Sequence, residues 1–136
     1  MITLRLVTPS GSGFEEEVER AILRGSEGDL AVMEGTAPIV TPLEISLARV
    51  IYPGRKERTA AIHGGYMSMK NNVLTVVADH YEWSEDIDLA RAKESERRAK
   101  EMLQLAEAGD DLDDVRRAEL ALSRALTRIR VKEGSV

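Results

Sequence analysis

At the start of the chain Ile2, Leu4 and Leu6 alternate with Thr3 and Arg5, which places three apolar side chains on one face of a strand. Pro9-Ser10-Gly11 then turns the chain. Short apolar runs follow at Ala21-Ile22-Leu23, Leu30 to Met33, Ala48 to Tyr52, Thr59 to Ile62 and Val73 to Val77. Turn residues separate them: Gly25 to Asp29, Gly35 to Pro38, Pro53-Gly54, Gly64-Gly65 and Asn71-Asn72. Many short strands without intervening helices predict an antiparallel β-sandwich or barrel from Met1 to about residue 83.

The pattern changes after Trp83. Prolines stop, charged residues become dense, and the period lengthens from two to helical. Ser84, followed by Glu85 and Asp86, reads as an N-cap with acids in the first turn, where they complement the helix dipole. Ala92, Ala99, Leu103 and Ala106 then recur at helical spacing toward Glu107, a narrow and weakly apolar stripe. Ala108-Gly109-Asp110-Asp111 breaks the pattern, and its aspartates are suited to cap a second helix. Val115, Ala118, Leu122, Ala125 and Ile129 form the seam of that helix. So short a linker predicts an antiparallel hairpin over residues 84–136. At roughly 25 cal/mol per Å² of apolar area, an alanine-rich seam is a marginal contact. The hairpin is therefore expected to need a partner surface and to dock reversibly.

Composition narrows the functional classes. The 136 residues contain no cysteine, which excludes a thiol nucleophile and cysteine-ligated metal, and only two histidines, His63 and His80. Net charge is −5, which disfavours a broad nucleic-acid surface. No apolar run approaches the ~20 residues of a membrane span and no signal-peptide pattern opens the chain, so an intracellular protein is expected.

Nothing in the pattern points to catalysis. No serine sits in a G-x-S-x-G elbow. Gly11-Ser12-Gly13 and Gly25-Ser26-Glu27-Gly28 lack the lysine and following helix of a phosphate loop and read as turns. Glu15-Glu16-Glu17 reads as a solvated face, and His63 beside Gly64 as a strand-end residue. The arginines of the helical part carry more information. Arg91 and Arg98 are seven apart and share a face, while Arg117, Arg124 and Arg128 fall within roughly 40° of one another on the second helix. If the hairpin closes, the two rows can converge, and guanidinium is well matched to phosphate. The alternative is that each arginine pairs with Glu94, Glu101 or Glu119 on a solvated helix.

Several stretches together resemble the epsilon subunit of F-type ATP synthases. They are Gly25-Ser26-Glu27-Gly28-Asp29-Leu30, Gly35-Thr36-Ala37-Pro38, Ala61-Ile62-His63-Gly64-Gly65-Tyr66 and Val73 to Asp79. Asp86-Ile87-Asp88-Leu89-Ala90-Arg91-Ala92 is similar to that family's [I/L]-D-x-x-R-A motif, and Arg117 to Leu122 to its second-helix signature. The likeness spans essentially the whole chain in order. Thr36 departs from the G-H-A-P that many members carry.

The resemblance implies a ten-stranded antiparallel β-sandwich followed by a two-helix hairpin. It implies a non-catalytic rotor subunit of the central stalk, at the cytoplasmic face of the bacterial membrane and attached only through its partners. Those partners are the gamma subunit, the c-ring, and the alpha/beta catalytic head when the hairpin extends. The loop Ser26, Glu27, Gly28 and Asp29 is expected to face the c-ring. The folded hairpin is expected to permit ATP hydrolysis and the extended one to inhibit it, through Arg116, Arg117, Arg124 and Arg128. ATP is the implied regulatory ligand of the folded state, with magnesium left open. Its implied contacts are Glu82, Ile87, Asp88, Arg91, Ala92, Arg98, Arg117, Arg124 and Arg128, with Asp88 orienting Arg91 or capping the helix. The alternative is a structural stalk adaptor whose hairpin stays docked and binds no nucleotide.

Overall fold

A computed structural model of the chain describes residues 1–11 and 13–134. Ser12 and residues 135–136 lie outside the described residues, so the expected Gly11-Ser12-Gly13 turn is seen only at its flanks. The chain divides into two compact units, Met1–Ser84 and Glu85–Val136.

The first unit contains eight strands: β1 (Ile2–Val7), β2 (Gly13–Val18), β3 (Arg20–Gly25), β4 (Gly28–Met33), β5 (Ile39–Ile51), β6 (Glu57–Lys70), β7 (Val73–Ala78) and β8 (Tyr81–Trp83). They form one sheet in the order β2-β1-β7-β6-β5-β3-β4, with β8 paired to β6. Leu4 and Leu6 of β1, Leu74 and Val76 of β7, Leu23 of β3 and Val32 of β4 share one buried cluster. The two arms of the sheet therefore fold face to face on a common core, a β-sandwich.

Two expectations are corrected among the described residues. The strands number eight, not ten, because β5 and β6 stay hydrogen-bonded to one another from Ile39 opposite Met69 to Ile51 opposite Glu57. The sheet is also not wholly antiparallel, since β1 pairs with β7 in parallel, Leu4 opposite Leu74 and Leu6 opposite Val76.

β6 is the strand that serves both arms. Its first half pairs with β8, Ala61 opposite Glu82, and its second half with β7, Gly65 opposite Ala78. The exchange of partners falls at Gly64-Gly65. Gly65 has φ +124, and a Cβ there would stand 2.8 Å from Ala78 Cα and inside contact with the Val77 carbonyl. Only glycine permits that approach. The Glu15-Glu16-Glu17 run lies exposed on β2, an edge strand, where charge discourages pairing with other chains.

The second unit is a helical hairpin, α1 (Leu89–Gly109) and α2 (Leu112–Glu133). The expected cap at Ser84 is corrected. Ser84–Asp86 is a single 3-10 turn, and Asp88, with extended backbone, caps α1 through a bond from the Arg91 amide at 3.1 Å. Asp111 caps α2 by accepting from the Asp113 and Asp114 amides, as its position predicts. The helix ends at Asp110 and Gly134 take left-handed backbone. Ala92, Ala99, Ala118 and Ala125 of the predicted seam are buried, while Leu103, Leu122 and Ile129 are half-buried.

Candidate functional site

The hairpin orders the arginines along its axis. At the open end Lys93 Nζ lies 3.8 Å from Glu133 Oε2. At the closed end Met102, Leu105, Ala106, Asp114 and Arg117 line a shallow hollow of about 270 Å³. Between these marks, Arg98 stands across from the turn of α2 that carries Arg124 and Arg128. Arg91 lies toward the open end. Arg117 lies at the closed end, roughly 20 Å along the axis from Arg91 at 1.5 Å per residue. The row on α2 thus spans the hairpin, and only its Arg124–Arg128 part stands level with Arg98.

The competing carboxylates are unevenly used. Arg97, which the sequence pattern did not single out, bonds Glu94 at 2.6 Å and Glu101 one turn on. The Arg97 bond holds the Glu94 carboxyl below its ordinary range, and Glu94 raises the Arg97 guanidinium in return. Arg98 Nε shares the same Glu94 at 3.3 Å. Arg91, Arg117 and Arg124 are exposed and make no ion pair among the described residues. Arg128 is half-buried and Arg116 exposed.

The motif around α1 has mixed roles. Ile87 and Ala92 are buried, and the Asp88 carboxylate is engaged as the cap on the Arg91 amide. Its negative charge therefore serves the first turn of the helix.

In the sandwich, Glu82 lies on β8, with its side chain 22% exposed. Its Oε1 is 3.0 Å from His63 Nε2 and 3.7 Å from His80 Nε2. The two imidazoles stack, centroids 5.6 Å apart with 15° between planes. His63 lies within β6, not at a strand end, and is buried. The apolar run Ala60-Ala61-Ile62 leading into His63 is a sequence signal for its burial but not for its partner, since residues 63 and 82 meet through strand pairing alone. Ser26 and Glu27 form the exposed two-residue tip between β3 and β4, closed by Gly25 opposite Gly28 and braced by Arg24 Nε to Asp29 Oδ1 at 3.0 Å.

Among the described residues no helix is long and apolar enough to cross a membrane, and no group of three or more His, Asp or Glu is placed to hold a metal ion.

A β-sandwich with a parallel β1–β7 pair, followed by a capped helical hairpin bearing arginines, defines a two-unit architecture that known proteins share. Residues 1–84 match the ATP synthase delta/epsilon chain β-sandwich domain, and residues 85–133 the long α-helix domain of the same family. The chain belongs to the ATP synthase epsilon-chain family. It is 37% identical over 135 residues to the ATP synthase epsilon chain of Latilactobacillus sakei, covering 97% of this chain and 92% of that protein. It is 39% identical over 127 residues to the epsilon chain of Desulfitobacterium hafniense strain Y51, covering 93% and 92%. In fold it is similar to a chain of the Euglena gracilis mitochondrial ATP synthase OSCP/F1/c-ring structure, with TM-score 0.79 and 23% identity over 93% of this chain and 78% of that one. A chain of the Tetrahymena thermophila mitochondrial ATP synthase central stalk/c-ring structure matches with TM-score 0.51 and 13% identity, covering 62% of this chain and 68% of that one.

Proposed function

We propose that this chain is a non-catalytic rotor subunit in the central stalk of a bacterial F-type ATP synthase, and that its hairpin is a nucleotide-sensitive brake on ATP hydrolysis. The sandwich docks on the gamma subunit, with the Ser26–Asp29 tip toward the c-ring, so the chain is held peripherally at the cytoplasmic face of the membrane. When the hairpin extends, Arg116, Arg117, Arg124 and Arg128 meet acidic surface on the alpha/beta head. When it folds, ATP is the anion that fills it. Membership of the epsilon-chain family supports the stalk assignment, and the Tetrahymena chain of like fold comes from a central stalk/c-ring assembly.

The observation that carries the nucleotide reading is the pair of exposed guanidinium groups of Arg91 and Arg124, without an ion pair among the described residues, on a hairpin whose buried seam is largely alanine. Arg91, Arg98, Arg124 and Arg128 take the phosphates, each guanidinium offering a planar pair of donors to two oxygens. Glu82 and the Ile87–Ala92 segment take the base and ribose. Arg117, near the hollow at the closed end, serves the extended state. Neutralising the arginine rows removes the repulsion that opposes closure. At ATP of 100 times its dissociation constant the folded state gains about 2.7 kcal/mol, enough to decide the position of so thin an interface.

Calorimetric titration of ATP into the isolated chain, with and without magnesium and with ADP as competitor, tests this. Saturable binding that weakens tenfold or more in Arg124→Ala and in Arg91→Ala is expected. Equal affinity in both variants removes them from the site, and no heat up to millimolar ATP refutes nucleotide binding. Deleting residues 84–136 is expected to raise ATPase activity of the assembled head. Unchanged activity in an intact complex refutes the brake. The adaptor reading rests on the bond of Arg98 to Glu94, which satisfies one site arginine internally; it predicts failure of both tests.

A further inference from the structure

His63 is a buried imidazole in an otherwise apolar stretch of β6, and neither the core nor the arginine rows account for it. Its backbone is fixed on both sides. It faces Ile45 across β5, and its amide donates to the His80 carbonyl at 2.9 Å. Its side chain is 2% exposed, and Nε2 meets Glu82 Oε1 at 3.0 Å. The group so held belongs to a strand of three residues, where an untethered glutamate would sample many rotamers.

We propose that His63 is the positioning residue for Glu82, and that the pair links proton uptake to occupancy of the ligand end to which Glu82 belongs. This rests on the nucleotide reading above. Neutral His63, with its proton on Nε2, donates to Oε1 and fixes the carboxylate while leaving its negative charge for the ligand. Protonated His63 turns the same contact into an ion pair and neutralises that charge. A ligand that draws on the Glu82 carboxylate therefore competes with the proton on His63, and linkage makes its affinity rise as pH rises through the imidazole range. His80 stacks on His63, and its Nε2 lies 3.7 Å from the same oxygen. Asp79 lies beside the neighbouring Gly64, its Oδ2 3.2 Å from where a Cβ there would stand, while exposed Glu44, next in sequence to Ile45, points to the opposite face of β5.

Two measurements separate this proposal from the reading it rests on. The first is NMR titration of the two imidazoles in the free full-length protein, assigned with His80→Gln. Glu82→Gln is expected to move the His63 midpoint toward lower pH by about one unit, the smaller end of what a facing charge does at this distance. An unmoved midpoint overturns the coupling whether or not ATP binds. The second is ATP affinity at pH 6, 7 and 8 in the parent and in His63→Gln, with folding of the variant checked by near-ultraviolet circular dichroism. The terminal phosphate titrates in this range and contributes equally to both proteins. The parent is expected to gain several-fold more affinity from pH 6 to 8 than the variant. Parallel profiles overturn the positioning role. If the parent binds no ATP at any pH, the nucleotide reading falls and the ligand half of this proposal falls with it, while the Glu82→Gln shift still decides the proton coupling.

Discussion

Two glycines with the same backbone angle provide a controlled test of how β6 serves both arms of the sandwich. Gly28 and Gly65 both have φ +124. A Cβ on Gly28 would meet nothing within 4 Å. On Gly65 it would stand 2.8 Å from Ala78 Cα and 3.0 Å from the Val77 carbonyl carbon, both backbone atoms of the paired strand. Gly28→Ala therefore carries only the conformational cost, about 1–3 kcal/mol for a side chain forced into this region. Gly65→Ala carries the same cost plus about 1–3 kcal/mol of overpacking, because a hydrogen-bonded backbone cannot rotate aside as a side chain can. A domain the size of Met1–Ser84 has a total stability of roughly 4–13 kcal/mol, so the second substitution removes a large share of it. Trp83 is the only tryptophan, lies in the sandwich core and packs 5.2 Å from Phe14, so its fluorescence follows this unit in urea. At about 1 kcal/mol per molar urea, the Gly65→Ala midpoint should fall at least 1 M below that of Gly28→Ala, with unchanged slope. Coincident midpoints would refute the reasoning, because the close approach of β6 to β7 would then impose no requirement of its own.

Asp88→Ala should weaken the start of α1 by about 1 kcal/mol, seen as faster hydrogen exchange at the Arg91 amide while the Trp83 urea midpoint stays fixed. Ala118→Leu puts three extra carbons at a fully buried position and should destabilise the hairpin by about 1–3 kcal/mol, read as faster amide exchange along α2. The Arg49 guanidinium donates to Glu57, Nη2 to Oε2 at 3.0 Å, and holds that carboxyl below its ordinary range. Because the folded-state value is the lower one, the stabilisation is complete above the unfolded carboxylate range near pH ~4.3 and is lost as pH falls through the folded value. Glu57→Gln should flatten the acid limb of a urea-midpoint profile and lower its plateau at neutral pH, where the parent keeps the full stabilisation.

What could be read from the residues, and what could not, divides by whether a side chain is patterned by a core. β1 was legible because Ile2, Leu4 and Leu6 fill one, and the second helix because its seam repeats at helical spacing. β2 was not: Phe14-Glu15-Glu16-Glu17-Val18 lies at the sheet edge, so it lacks alternation and is held by pairing to β1 and an Arg5–Glu15 bond of 2.8 Å. The lengths of β5 and β6 were hidden by Pro42 and Gly64-Gly65, which read as breaks yet stand inside continuous strands. Ser84 was preferred over Asp88 as a cap because two acids follow it, but those acids close a 3-10 turn. In the candidate site, the rows of arginine follow from helical period alone. The His63–Glu82 contact does not, because it exists only through the pairing of β6 with β8.

The two helices are built to outlive their contact. Each has its own N-cap, Asp88 or Asp111, and its own left-handed C-terminal residue, Asp110 or Gly134. At 21 and 22 residues both exceed the ~12–15 below which an isolated helix is marginal in water. The Glu94–Arg97–Glu101 pairs lie within α1, so they too survive separation. Among the described residues, the helices meet along a seam that buries Ala92, Ala99, Ala118 and Ala125, with an ion pair of 3.8 Å between Lys93 and Glu133 at the open end. Opening the hairpin would therefore forfeit the seam without melting the helices. A longer-chained seam of leucines would bind the helices too tightly for a ligand contribution of a few kcal/mol to matter. On the proposed reading, the alanines keep the opening equilibrium within reach of that contribution, and the exposed arginines make an anion the ligand that would shift it.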